Sequence, residues 1–146
     1  MKKVNKNKFN YKLIILLACL VIAVLTGVCI FLKDRSIKNE QAKNDALVMT
    51  NLAIRKYIED KGYENENNIA FMYQLNQLDR TGDVLKCPFN GKPYDADSSA
   101  LVDYNQFRLT FSTRTYLYCG NRAVVYSCTA ENDIYESHCS VEIVKR

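Results

Sequence analysis

Leu13 to Leu32 (LIILLACLVIAVLTGVCIFL), 20 residues without a charge, limits what this chain can become more than any other stretch. At about 1.5 Å per residue the run spans about 30 Å as a helix, the thickness of a bilayer's hydrocarbon core. Lys2, Lys3, Lys6, Lys8 and Lys12 crowd the preceding flank, whereas Lys33, Asp34 and Arg35 open the far side. The positive-inside bias therefore predicts a cytoplasmic flank at 1–12, a single transmembrane helix at 13–32, and the remaining 114 residues outside the cell membrane. Phe9, Tyr11 and Phe31 fall near the two ends of the span, where aromatic rings favour the headgroup zone.

Three fates of that stretch compete. A cleavable signal peptide has a shorter apolar region ending in a small-x-small site, which Gly27 and Cys29 supply poorly. Leu16, Leu17, Ala18 and Cys19 are similar to a lipoprotein signal box, in which Cys19 becomes a lipidated first residue. Cutting there would leave a mostly apolar stump after Cys19 and only a short apolar run before it. A retained signal anchor fits better, with Cys19 and Cys29 as small apolar residues in lipid.

The formal charge of +4 does not read as a nucleic-acid footprint. Five of the 20 basic residues lie ahead of the membrane, which leaves 15 against 16 acidic residues outside. The outer part has room for one small domain and holds Cys87, Cys119, Cys128 and Cys139. An even number of cysteines in an oxidising compartment predicts two disulfides; four cysteines allow three pairings, and the spacing does not choose among them.

Residues 33–61 read as a helical continuation of the anchor. Ser36 to Lys61 has no Pro or Gly and is rich in helix formers, and Leu47, Ile54 and Ile58 with Val48 and Leu52 form an apolar side. Gly62 stands where a helix C-terminus favours a residue tolerant of the left-handed conformation. A flexible stalk at Lys33 to Asn44, with a separate helix from Asp45, is the alternative.

Within 62–146, Tyr63 to Asn68 is a polar connection and Ile69 to Leu78 spaces its apolar residues as one short helical face. Asp79 to Asp83 form a turn. Two prolines and an Asn-Gly between Cys87 and Tyr94 require a structured loop. Gln106 to Ser112 alternates, with Phe107, Leu109 and Phe111 on one face. Thr113 to Cys119 and Arg122 to Thr129 flank Gly120-Asn121, a pair suited to a two-residue hairpin turn. A second turn at Asn132 and Asp133 leads to short strands at Ile134 to Glu136 and Cys139 to Val144. The expected fold class is α+β: a long N-terminal helix, half transmembrane and half amphipathic, packed on a C-terminal antiparallel sheet of three to four strands, which needs such a cover.

The order of these parts resembles a type IV pilin or pseudopilin. Many members lead from a short helix through "G-x-L" into a "C-P-x-x-G-x-x-Y" loop that starts the sheet, and Gly82, Leu85, Cys87, Pro88, Gly91 and Tyr94 match that pattern. Two family features do not occur: Lys8 to Lys12 contain no Gly for a prepilin peptidase, and no acidic residue precedes Asp34, so the mature N-terminal Glu is missing. The resemblance therefore implies a divergent pilin-like structural or accessory subunit of a filament, secretion or DNA-uptake apparatus. Its partners would be the lipid bilayer and other pilin-like subunits, met through transmembrane helices. The competing class is a stand-alone, signal-anchored, disulfide-stapled binding domain.

Enzymatic and cofactor chemistry find little purchase. Cys87-Pro88 lacks the second Cys of a zinc knuckle, since residue 90 is Asn. His138, the only histidine, adjoins Cys139, and neighbours in a strand point to opposite faces. Asp95, Asp97 and Asp103 with Ser98 and Ser99 fit no EF-hand spacing. No Ser elbow or phosphate loop occurs. The expectation is a non-enzymatic protein without cofactor or metal. Among the tyrosines, Tyr116 and Tyr118 should stand on the outer face of the sheet, joined across the hairpin by Tyr126; they would serve either a partner or cross-strand packing.

Overall fold

Small side chains at helical spacing decide how the two layers of this protein meet. In the computed structural model, which describes residues 6–63, 69–78, 85–131 and 137–146, helix α1 runs Lys6–Lys61 as one element of 56 residues. No break separates a stalk from a later helix. Gly62 closes it at φ +67°, its N–H donating to the Ile58 carbonyl at 2.8 Å. The expected turns at Asp79 to Asp83 and Asn132-Asp133, the strand at Ile134 to Glu136, and most of the Tyr63 to Asn68 connection lie outside the described residues.

The chain divides into two units, Met1–Ile37 and Lys38–Arg146. In the first, the side chains of residues 11–37 are exposed, and α1 is long and apolar enough to cross a membrane. Thr26 is the one hydroxyl between Leu13 and Leu32, and its single hydrogen has the Ile22 and Ala23 carbonyls as alternative acceptors at 3.0 and 2.9 Å, so this hydroxyl does not require water.

In the second unit, α1 buries Ala42, Ala46, Met49, Thr50, Ala53, Ile54 and Tyr57, a stripe that advances by three or four residues. Alanines at three of these positions leave no side chain beyond Cβ, and Met49 and Tyr57, both fully buried, fill the space between helix and sheet. Each of those two side chains contributes about 1.5–3 kcal/mol by burial. The amphipathic face expected from Leu47, Val48, Leu52, Ile54 and Ile58 is thereby corrected. Leu47 and Val48 are 39% and 46% exposed, Leu52 and Ile58 are half-buried at the rim of the core, and only Ile54 lies fully within the stripe.

The sheet has five antiparallel strands in the order β1-β2-β3-β4-β5, more than the three or four expected. They are β1 Phe71–Gln74, β2 Ser99–Asn105, β3 Thr110–Cys119, β4 Arg122–Glu131 and β5 Ser137–Lys145, with a four-residue helix α2, Leu75–Leu78, after β1. Ala100, Val102 and Tyr104 of β2, Phe111 to Cys119 at alternate positions of β3, and Val124, Tyr126 and Cys128 of β4 face the helix. Central strand β3 carries Thr115, whose hydroxyl lies 2.6 Å from that of Thr50. At the C-terminal end of α1 the ring of Tyr57 meets those of Phe71, Tyr104 and Phe111 at centroid distances of 5.6–6.4 Å.

Two expectations about the sheet change, and a third holds. Ile69 to Leu78 is not one helical face: Phe71 and Tyr73 alternate inward as an edge strand pairing with Val102 and Ala100, and only Leu75–Leu78 is helical. Gln106 to Leu109 is not a strand but the turn between β2 and β3, in which Asn105 Oδ1 accepts from the Phe107 and Arg108 N–H groups. Phe107 is therefore 82% exposed, and Leu109 sits at φ +52°. The hairpin at Gly120-Asn121 forms as its residues predict, with Gly120 at φ +60° and Cys119 opposite Arg122.

Candidate functional site

The loop between Cys87 and Tyr94 is built by its own sequence and then fastened to the sheet. Gly91 takes φ +70° and donates to the Cys87 carbonyl at 2.8 Å, the Cys87 N–H donates to the Lys92 carbonyl at 2.8 Å, and Lys86 bridges to Pro93. Pro88 sits half-buried at the start of the turn, and Asn90 Oδ1 accepts from the Lys92 N–H at 2.9 Å. Cys87 is fully buried and disulfide-bonded to Cys119 at the end of β3, so its sulfur is not available to zinc. Cys128 and Cys139, opposite each other on β4 and β5, form the second disulfide with Cα atoms 4.2 Å apart. Cys19 and Cys29 are free and exposed on α1.

Tyr94 ends the loop inside the core and donates its hydroxyl to Asp45 of α1 at 2.9 Å. Burial pushes the Asp45 carboxyl above its usual range, against the lowering effect of that hydrogen bond. Burial first, then the neighbouring Asp45 carboxylate, pushes the Tyr94 phenol well above its usual value. This contact joins loop to helix. Neither composition nor spacing pairs an aspartate with a tyrosine 49 residues away.

The loop continues into an acidic turn. The Asp95 N–H donates to the Tyr118 carbonyl, while the Arg146 guanidinium bonds the Asp95 and Asp97 carboxylates and lies 4.5 Å over the Tyr118 ring. Arg122 covers Phe89 in the same way at 4.4 Å. Asp95 and Asp97 thus hold a guanidinium, whereas Asp103 stands on the outer face of β2. His138 lies in β5 opposite Thr129. Among the described residues no group of three metal-ligating side chains converges.

The sheet's outer face is the other candidate. Tyr116 and Tyr118 stand there half-buried and stacked, their centroids 6.3 Å apart at 13°. Tyr126 does not join them; it pairs with inward-facing Thr115 and is buried in the core. Beside Tyr116, Asp103, Ser112, Arg114 and Ser127 line a shallow concavity of about 440 Å³. Asp103 Oδ1 is buried with no hydrogen-bond partner among the described residues. The sequence singles out Asp103 only beside Asp95 and Asp97 and does not single out Arg114; the pairing of β2 with β3 sets Asp103 and Arg114 on one surface.

A candidate membrane-spanning helix near the N-terminus and two disulfides suggest a membrane-anchored protein with a domain suited to an oxidising extracytoplasmic space. No family model, curated protein or solved structure matches the chain.

Proposed function

We propose that this protein is a non-enzymatic, pilin-like structural or accessory subunit of a surface filament, secretion or DNA-uptake apparatus, held by one transmembrane helix with its N-terminus in the cytoplasm. The observation that carries the reading is the division of α1. Its residues 13–32 are apolar and exposed, as a helix among lipids and other helices requires, and its stripe from Ala42 to Tyr57 is the cover of an antiparallel sheet. A Cys-Pro loop leads into β2 of that sheet, in keeping with the resemblance to pilins, and a disulfide fastens it to β3. The basic residues of the flank set the orientation.

The missing Gly before the apolar run makes processing the demanding test. The intact mass of the protein taken from its own host's membrane should correspond to a chain without the basic flank ahead of Leu13, recovered together with other anchored subunits. A full-length chain that is monomeric in the membrane would contradict it. That result would instead favour a stand-alone anchored binding domain, the class to which the absence of any acidic residue before Asp34 lends weight. A pilin Glu in lipid is tolerated because it pairs with a neighbour's terminal amine, and this chain has no such group.

A further inference from the structure

The concavity beside Arg114 is half of a longer groove. A second hollow of about 420 Å³ adjoins it and is lined by Tyr116, Val125 and Glu142 together with Arg114, Ser127 and Ser140, the last three shared with the first. The combined groove crosses β2 to β5 on the face opposite α1, with Asp103 towards one end, Glu142 towards the other and Arg114 between them. Among the described residues no salt bridge joins Arg114 to either carboxylate. Asp103 presents a buried oxygen without a donor among the described residues. Ser112, Ser127 and Ser140 add hydroxyls that donate or accept, and Tyr116 adds a half-buried ring.

We infer that this groove binds an extended, neutral, hydroxyl-rich oligosaccharide, with Asp103, Glu142 and Arg114 pairing sugar hydroxyls and Tyr116 supporting the C–H face of a ring. Three other kinds of extended ligand match the groove less well. A peptide adding as a strand needs unpaired backbone, which the sheet offers at the outer edge of β5, beside the groove, whereas β2, β3 and β4 are paired on both sides. A polyanion meets two carboxylates and a polycation meets a guanidinium. Sugar hydroxyls both donate and accept, so one uncharged ligand satisfies both signs at once. Such a site is built of few convergent polar groups on a largely rigid scaffold, as this sheet supplies. The inference is independent of the pilin-like reading and needs only an accessible outer face.

The test is calorimetric titration of the full chain in lipid nanodiscs with three probes: hexamers of β-1,4-linked N-acetylglucosamine, β-1,4-linked glucose and α-1,4-linked glucose. At least one should bind saturably. Arg114→Ala and Tyr116→Ala should each weaken it by about tenfold, the scale of a lost charged hydrogen bond or a stacked ring. Leu47→Ala, on the exposed flank of α1, should leave it unchanged. Preserved disulfides and circular dichroism identify variants that fold, and Ser127→Ala, a smaller change in the same groove, should weaken the same probe in any case. Absence of binding by all three hexamers, or binding indifferent to Arg114, Tyr116 and Ser127 in folded variants, overturns the inference, as does tighter binding of hexametaphosphate than of any sugar.

Discussion

One proton orders the contact between the helix and the sheet. Thr50 Oγ1 lies 2.8 Å from the Ala46 carbonyl and 2.6 Å from Thr115 Oγ1, and a hydroxyl has a single hydrogen to donate. Thr50 spends it on its own helix, so Thr115 is the donor between them. Both residues are buried, and the consequence is an asymmetry. Thr50→Val leaves the Thr115 hydroxyl buried without an acceptor and should destabilise by about 1–3 kcal/mol; Thr115→Val leaves Thr50 satisfied by Ala46 and should cost less. Denaturant unfolding of the two single variants and the double variant checks this, and the double variant should be more stable than Thr50→Val alone. Asp45 gives a pH dependence of definite sign. Burial raises its carboxyl above the unfolded value of about 3.9, so the folded state holds the proton more tightly than the unfolded chain. This contribution to stability is present below the unfolded value and is lost as pH rises through the raised, folded one. Asp45→Asn keeps an acceptor for the Tyr94 hydroxyl and removes the titration, so its stability across the same pH range should be flatter than that of the parent, as read by unfolding midpoints at each pH.

Among elements, α1 and the β3-β4 hairpin show what local sequence can and cannot specify. The hairpin was legible because its turn chemistry and alternation are both local: Gly120 supplies the positive φ, and Leu117 and Cys119 point inward two residues apart. The extent of α1 was legible for the same reason, since no breaker occurs from Ser36 to Lys61. Its buried face was not. Ranking residues by hydrophobicity selects Leu47 and Val48, whereas the face turned to the sheet carries Ala42, Ala46 and Ala53, and which face meets the sheet is not decided within the helix itself. Strand β1 was hidden for a related reason: its four residues fit two periodicities, and pairing with Ala100 and Val102 decides between them. Within the candidate sites, the Cys-Pro loop was readable from its prolines and Asn-Gly, but the disulfide partner of Cys87, the Asp45 bond to Tyr94 and the groove at Arg114 all depend on contacts distant in sequence. Ala46→Leu forces extra atoms into the fully buried seam and should destabilise by about 1–3 kcal/mol or more. Leu47→Ala, one residue away and exposed, should change stability by no more than about 0.5 kcal/mol. Equal effects in chemical denaturation would place the seam on the other face.

At the scale of the whole molecule, one helix serves two solvents. Residues 13–32 satisfy every backbone group internally and present apolar side chains, the condition for crossing a bilayer. From Ala42 the same helix satisfies a different demand, burying a narrow stripe of small residues, Met49 and Tyr57 against five strands that have no other cover among the described residues. Two disulfides hold this layer together where its core is small, one fixing the Cys-Pro loop to β3 and one tying edge strand β5 to β4. The outer segment of α1 is therefore part of the cooperative fold. Amide hydrogen exchange on the full chain in lipid nanodiscs measures this directly. If the helix is one wall of the core, amides between Ala42 and Tyr57 exchange at the same slow, globally limited rate as those of β3 and β4 between Phe111 and Cys128. Exchange of the helical amides at a faster rate, while the strands stay protected, would contradict the account.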